Sequence, residues 1–390
     1  MIPTLMPTYA RTDHEFVRGE GAWLIDREGR RHLDFAAGIA VNCLGHAHPK
    51  LVAALTEQAG KLWHTSNLYR APWQERLAER LCELTFADTV FFTNSGAEAI
   101  ECAFKTARKH QSDIGAPERV EIITFDGCFH GRTLAGISAS GAEKMVKGFG
   151  PLAPGFRQVP IDLDAVRAAA GPETAAICIE PVIGEGGIIP MERAFLRGLR
   201  EIADETGALL IFDEIQCGVG RTGRLFAHEW AGVAPDIMAI AKGIGGGFPI
   251  GACLATERAA SGMTAGVHGS TYGGNPLGAA VAMAVLDEVA NEAFLSNVRR
   301  LAGTLSQKLG AVVAAHPEVL ESVRGEGLMI GVKCARPNGE VIKAAYDQLL
   351  LTVPAAGDVI RILPPLNVTD EEIDEAMTRL DAACRALKAA

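Results

Sequence analysis

The chain is predicted to be an α/β protein, with a mainly parallel sheet in a large domain followed by a smaller α+β domain. Three observations lead there. Short, wholly apolar, β-branched runs such as Ala208-Leu-Leu-Ile-Phe and Ile237-Met-Ala-Ile-Ala have the character of strands covered on both faces by helices. Such runs alternate with helical stretches between residues 89 and 242, as parallel strands joined by right-handed crossovers require. Beyond about residue 290 the pattern changes to helix, strand, helix, strand and a closing helix.

The two runs quoted end in reactive side chains. The first leads into Asp213-Glu-Ile-Gln216 and the second into Lys242. In open α/β sheets ligands bind at the carboxyl ends of the strands. Lys242 precedes Gly243-Ile-Gly-Gly-Gly247, whose backbone can approach a bound group closely. A desolvated lysine there suits a Schiff-base nucleophile. Taken singly, either residue could equally be a strand cap.

The 390 residues, 48% apolar and 22% charged, suit a globular protein of about two domains. Net charge is −10 and the isoelectric point about 5.5. With no run of Lys or Arg longer than two, a nucleic-acid or anionic-membrane surface is not expected, and the ligands should be small molecules. Nine cysteines without a C-x-x-C pair or zinc spacing read as core residues of a reducing compartment, with no metal. The first 16 residues lack an apolar leader core, and no apolar run approaches 18 residues. A cytoplasmic protein is expected.

In chain order, Ala22 to Phe35 reads as two short strands around an Arg27-Glu-Gly29 turn. His46 and His48, two apart, read as loop histidines rather than helical metal ligands. Helices are predicted from Pro49 to about Leu62 and from Pro72 to Leu84. A strand, Thr89-Val-Phe-Phe-Thr-Asn, then runs into Ser95-Gly-Ala-Glu98, a capping box that opens an apolar-periodic helix. Free amides at such a helix start, with the small Gly96 and Ala97, make a phosphate site. An ordinary capped helix has the same signature. Further strands are predicted at Val120–Phe125, Ala175–Glu180, Leu209–Asp213 and Ile237–Lys242.

Gly218-Val-Gly-Arg-Thr-Gly223 matches G-x-G-x-x-G, but it begins five residues past a strand end, and no small-residue helix follows. A dinucleotide fingerprint is therefore not expected. The last part should hold a helix near Leu295–His316, a strand Leu328–Lys333, a helix Val341–Leu351, a strand Val359–Leu363 and a helix capped by Thr369-x-x-Glu372.

Six ordered motifs carry a family resemblance: Asn94-Ser-Gly-Ala-Glu-Ala, Phe129-His-Gly-Arg-Thr, Glu180-Pro-Val-Ile-Gly-Glu-Gly-Gly, Phe212-Asp-Glu-Ile-Gln-Cys-Gly-Val-Gly-Arg-Thr-Gly, Ala241-Lys-Gly and Gly269-Ser-Thr-Tyr-Gly-Gly-Asn-Pro. Together they resemble the subgroup III pyridoxal-phosphate aminotransferases, and most closely the members that act on N-acetylornithine. The resemblance implies the fold-type I scaffold. Residues 51–290 would form the cofactor domain and 291–390 the small domain, with 1–50 packing on the latter.

The resemblance also implies roles. Lys242 would hold pyridoxal 5'-phosphate covalently and shuttle the proton, needing to be uncharged to do so. Asp213 would keep the pyridine nitrogen protonated. Ser95, Gly96 and Ala97 would meet the phosphate, Phe129 would stack on the ring and Gln216 would contact its hydroxyl. Thr271 would reach the phosphate of the neighbouring subunit, which implies a homodimer. Ser270 falls among the substrate-binding residues. Arg132 would bind the distal carboxylate of a long donor, and Arg361 the α-carboxylate of glutamate. Glu185 would neutralise Arg361 while the donor is bound and swing away for glutamate.

The expected reaction is transfer of the terminal amine of N-acetylornithine to 2-oxoglutarate, by a ping-pong route serving arginine biosynthesis. Succinylornithine, ornithine and 4-aminobutyrate are the alternative donors. A cofactor-dependent aminomutase, a silent cofactor-binding module and a nicotinamide dehydrogenase are the alternative classes. Ile183 stands where relatives often carry glutamine. Ile39 lies where ornithine-specific relatives place a tyrosine that holds the free α-amine. An apolar residue there suits a donor whose α-nitrogen is acylated.

Overall fold

A computed structural model describes residues 2–389; Met1 and Ala390 lie outside that range. Its centre is a seven-stranded sheet in the order Thr89–Thr93, Gly251–Ala255, Ile237–Ile240, Leu209–Asp213, Thr174–Ile179, Glu121–Phe125, Phe156–Val159. All neighbours are parallel except Gly251–Ala255, which runs antiparallel to both of its own. The mainly parallel sheet of the sequence reading is thus present, with one reversed strand.

Alternate side chains of these strands go to opposite layers. Leu209 and Ile211 pack with Ile100, Ala103 and Phe104 of the helix Gly96–Asp113. Leu210 and Phe212 pack with Leu196, Leu199 and Ile202 of the helix Arg193–Thr206. Each fully buried Leu or Ile contributes about 1.5–3 kcal/mol of hydrophobic stabilisation. Covering on both faces is the reason these strands are unbroken apolar runs.

Several boundaries differ from expectation. The strand Ile237–Ile240 stops short of Lys242, which instead opens a single 3-10 turn, Lys242–Gly245, with φ 48°. The helix expected to reach Leu351 ends at Asp347. Leu349 takes a left-handed conformation, φ 59°, which breaks the helix, and Leu350–Leu351 pairs in parallel with Leu33–Asp34. A run of leucines fits either period, so its neighbours decide. That pairing closes a four-stranded sheet that also holds Trp23–Asp26 and a strand the sequence did not signal, Phe16–Glu20. Trp23 Nε1 donates to Glu372 Oε1 across 2.9 Å, tying this sheet to the last helix.

The Thr369 capping box forms as expected: Glu372 N–H donates to Thr369 Oγ1 at 3.2 Å and Thr369 N–H to Glu372 Oε2 at 3.0 Å. The Ser95 box is only half reciprocal. Ser95 Oγ accepts from Glu98 N–H at 3.2 Å, but Glu98 Oε2 takes the N–H of Asn94 instead, at 2.6 Å.

The Gly218–Gly223 motif opens no helix; it wraps a buried arginine. Arg221 is 2% exposed. Its Nη1 donates to the carbonyls of Leu328 (3.1 Å) and Pro364 (2.5 Å), and its own carbonyl accepts from Leu328 N–H at 2.9 Å. No carboxylate pairs with it among the described residues, and burial lowers its proton affinity to about 10.

Candidate active site

A cavity of about 460 Å³ opens at the carboxyl edge of the large sheet, a size suited to a cofactor or small ligand. The turns that follow the strands supply most of its wall. Asp213 is the last residue of its strand and 3% exposed. Its Oδ1 accepts from the N–H of Ile215 at 3.1 Å, and its Oδ2 faces His130 Nδ1 at 2.8 Å. Burial opposes a charge on His130, but the hydrogen bond and charge of Asp213 outweigh it and raise the imidazole pKa. Both carboxylate oxygens are therefore held, and the group is aimed rigidly into the cavity.

Lys242 lines the same cavity. Burial lowers its proton affinity, and the charge of Arg361 lowers it further, against the opposing pull of Glu185, Glu180 and Asp213. The shift favours the uncharged amine, the form that acts as nucleophile or base. Its left-handed backbone, costly for a residue with a Cβ, turns the side chain out of the strand direction.

Ser95, Gly96 and Ala97 form the rim where the helix Gly96–Asp113 begins. Ser95 Oγ serves Glu98, so the first amides remain free of any acceptor within the helix. They point at the place where an anion is favoured. Gly96 is a glycine for a packing reason as well: a Cβ there would sit 2.9 Å from Ile215 Cγ2. Phe129 and Gln216 line the wall, and the Arg132 guanidinium stands 5.5 Å from the Phe129 ring centroid.

Arg361 and Glu185 form an ion pair beside this cavity. Arg361 lies mid-strand in Val359–Ile362 and is 2% exposed. Its Nη2 donates to Pro354 O at 2.8 Å and its Nη1 also to Gln216 Oε1 at 3.3 Å. Glu185 is 37% exposed, so it can leave the arginine and enter water without stranding a buried charge of its own.

Ser270 does not line the cavity; its hydroxyl accepts from Asn94 Nδ2 (3.2 Å) and Gly273 N–H (3.0 Å). Thr271 beside it is exposed. Ile183 is fully buried in the short strand Val182–Ile183. Ile39 is 36% exposed in a run of four left-handed residues, Ala37, Gly38, Ile39 and Ala40, next to the cavity residue Val41. His46 Nε2 bonds to Asp34 Oδ2 at 2.8 Å.

The sequence reading missed Glu180 and His130. Glu180 had a signal, an acid at the carboxyl end of a buried strand run, as Asp213 is. His130 had none, because its partner is 83 residues away. The apolar wall of Val41, Ile215, Phe248 and Ile250 was also missed.

A buried lysine, a braced carboxylate and a helix amino-terminus around one cavity match the three parts of pyridoxal phosphate: aldehyde, ring nitrogen and phosphate. The class-III aminotransferase family matches residues 8–384, and the chain belongs to it. It is a pyridoxal-phosphate-dependent transferase of the fold-type I architecture. Acetylornithine aminotransferase of Rhodobacter capsulatus is 63% identical over 389 residues, covering 100% of this chain and 99% of that protein. The enzyme of the same name from Mesorhizobium japonicum is 61% identical, covering 98% and 96%. Among solved structures, the ornithine aminotransferase of Toxoplasma gondii superposes with a TM-score of 0.95 at 32% identity, covering 99% and 93% of the two chains. The N-acetylornithine aminotransferase of Stenotrophomonas maltophilia gives 0.86 at 42%, covering 98% of each.

The lowered proton affinity of Lys242 has a measurable sign. Between its folded value and the ordinary 10.5 the unfolded chain still holds the proton while the folded chain has released it. Folding stability therefore gains from this group as pH rises through that window, and the reactive amine is already present there. Capture of added pyridoxal phosphate by the apo protein, followed by visible absorbance, should accelerate with pH to a plateau reached below 10.5. A midpoint at the ordinary lysine value would contradict the assignment.

Proposed function

We propose that this chain transfers the terminal amine of N-acetylornithine to 2-oxoglutarate, working as a cytoplasmic homodimer. The observation that carries the reading is the Arg361–Glu185 pair beside the buried Lys242. It is a cation that can be shown or hidden, as two substrates of different charge at the reacting end require.

Pyridoxal phosphate, when bound, supplies an electron sink for the carbon that bears the amine. The side chains do the rest. Lys242 would anchor the group and carry the proton off the amine-bearing carbon. Asp213, fixed by Ile215 N–H and His130, would hold the proton at the ring nitrogen. Phe129 would pack against the ring, and the helix start at Ser95 would receive the phosphate. Arg132 at the rim takes the donor's distal carboxylate, while Glu185 masks Arg361. For glutamate, Glu185 withdraws and Arg361 takes the α-carboxylate.

Ser270 and Thr271 lie away from the cavity of their own chain, which favours a role across a twofold partner. Exposed Trp63, Leu68, Tyr69 and Tyr272 supply apolar surface for that contact. We assign 51–290 to the cofactor domain and 291–390, with 1–50, to the small one; the Leu33–Asp34 pairing with Leu350–Leu351 supports the grouping.

A panel of half-reactions with N-acetylornithine, N-succinylornithine, ornithine, 4-aminobutyrate and glutamate, followed by absorbance of the bound cofactor, tests the donor. N-acetylornithine should react fastest among the long amines; a clear preference for free ornithine would overturn the reading.

The switch has its own test. Glu185→Gln leaves Arg361 unpaired before the donor's reacting end, and an uncompensated charge in a closed site costs a few kcal/mol. The variant should lose roughly tenfold or more kcat/KM for N-acetylornithine relative to glutamate. Arg361→Ala should injure the glutamate half-reaction first. Equal losses for both substrates in Glu185→Gln would mean that no switch operates.

A further inference from the structure

We propose that Glu180 is the positioning residue of the charge switch, holding the turn that carries Glu185 against Arg361; this rests on the two-substrate reading above. Glu180 follows the strand Thr174–Ile179 directly and is 4% exposed. Its two oxygens serve different segments. Oε1 accepts from Phe129 N–H at 2.7 Å, and Oε2 accepts from Gly184 N–H at 3.1 Å. One carboxylate therefore ties the ring-stacking wall to the residue just before Glu185.

Gly184 is the pivot of that turn. Its carbonyl accepts from the N–H groups of Gly187 and Ile188, both at 3.2 Å. A Cβ on Gly184 would lie 2.4 Å from Gln216 Nε2, so the turn is pressed onto the side chain that meets Arg361 Nη1 at 3.3 Å. Glu185 is also held by its backbone, whose carbonyl accepts from Ala356 N–H at 2.9 Å. The chain of contact runs from Glu180 through Gly184 to both Glu185 and Gln216, and from each of these to Arg361. Burial and the nearby Asp213 charge raise the Glu180 carboxyl to about 7, against the opposing His130 charge and the two amides. A carboxylate at such a site is retained because two N–H donors need two acceptors.

Glu180→Gln keeps the size and one acceptor. Since the Phe129 bond is the shorter, the amide oxygen should stay with it, and the new NH2 group would face Gly184 N–H, donor against donor. The turn loosens and Glu185 masks Arg361 less well. Holoenzymes of the parent and of Glu180→Gln are compared by single-turnover absorbance with N-acetylornithine and with glutamate, and by visible circular dichroism of the bound cofactor.

The expected result is a loss at least tenfold larger for N-acetylornithine than for glutamate, with the dichroism of the parent retained. Gly184→Ala, which pushes the same turn from the Gln216 side, should show the same selective loss and decides the matter if Glu180→Gln does not fold. Equal losses for both substrates, or none, in the folded variant would overturn the proposal, because a residue that only stabilises the fold would not change the ratio. If the parent itself rejects N-acetylornithine, the donor reading fails, and the same ratio is measured with the long amine it accepts.

Discussion

Lys242→Ala is expected to bind pyridoxal phosphate without a covalent link and to lose turnover by on the order of a thousandfold or more. The magnitude follows from the two duties of one amine: nucleophilic anchoring, and acid–base transfer that alone contributes about a hundred- to ten-thousandfold. Nothing nearby can replace it. The other titratable groups acting on Lys242 are the Arg361 guanidinium and the carboxyl groups of Glu185, Glu180 and Asp213. Each of these is already engaged: Asp213 with His130 and Ile215, Glu180 with two amides, Glu185 with Arg361. Borohydride reduction followed by mass measurement should mark the parent at Lys242 and leave the variant unmarked. Turnover within tenfold of the parent would remove Lys242 from the mechanism.

Asp213→Asn should slow both half-reactions alike, by about a hundredfold or more, comparable to losing one preorganised electrostatic partner of a developing charge. The amide keeps the size and can still accept from Ile215 N–H, so the local fold should survive. What disappears is the anion that would hold a proton at the ring nitrogen and that raises the proton affinity of the buried His130 against the cost of its burial. Single-turnover rates with N-acetylornithine and glutamate should fall together, whereas the Glu185 and Glu180 variants should separate them. Unchanged rates with both substrates would refute the role of Asp213.

Much of the scaffold was legible in the sequence because its signals are local. A strand buried on both faces must be apolar throughout, which made Leu209–Asp213 and Ile237–Ile240 visible. A helix that begins at Ser95 or Thr369 advertises itself through the residue three positions on. Lys242 stood out because the glycines after it make room for a ligand. The features that were missed depend on partners distant in the chain. Leu350–Leu351 is a strand because Leu33–Asp34 lies beside it, and without that neighbour its leucines extend the preceding helix. Glu180 ties Phe129 to Gly184, a relation that no spacing encodes. The left-handed turn at Ala37–Ala40 carries three residues with a Cβ and a single glycine, so composition gave no warning of it. The placing of Ser270 outside its own cavity could come only from the assembled loops.

Arg221 gives the molecule an order of assembly. Its guanidinium is buried in the Gln216–Gly223 turn, and the acceptors that its Nη1 reaches belong to Leu328 and Pro364, 107 and 143 residues further on. A nascent chain that has reached residue 300 already contains Lys242, Asp213, Gln216 and the helix start at Ser95. It cannot yet close the turn around Arg221 without placing a charge in an apolar interior with nothing to receive its protons. The contacts that hold Arg221 are therefore made only when the last quarter of the polypeptide has been made and docked, and the same late segment brings Arg361. Synthesis that stops early leaves Lys242 present but Arg221 and Glu185 without their partners.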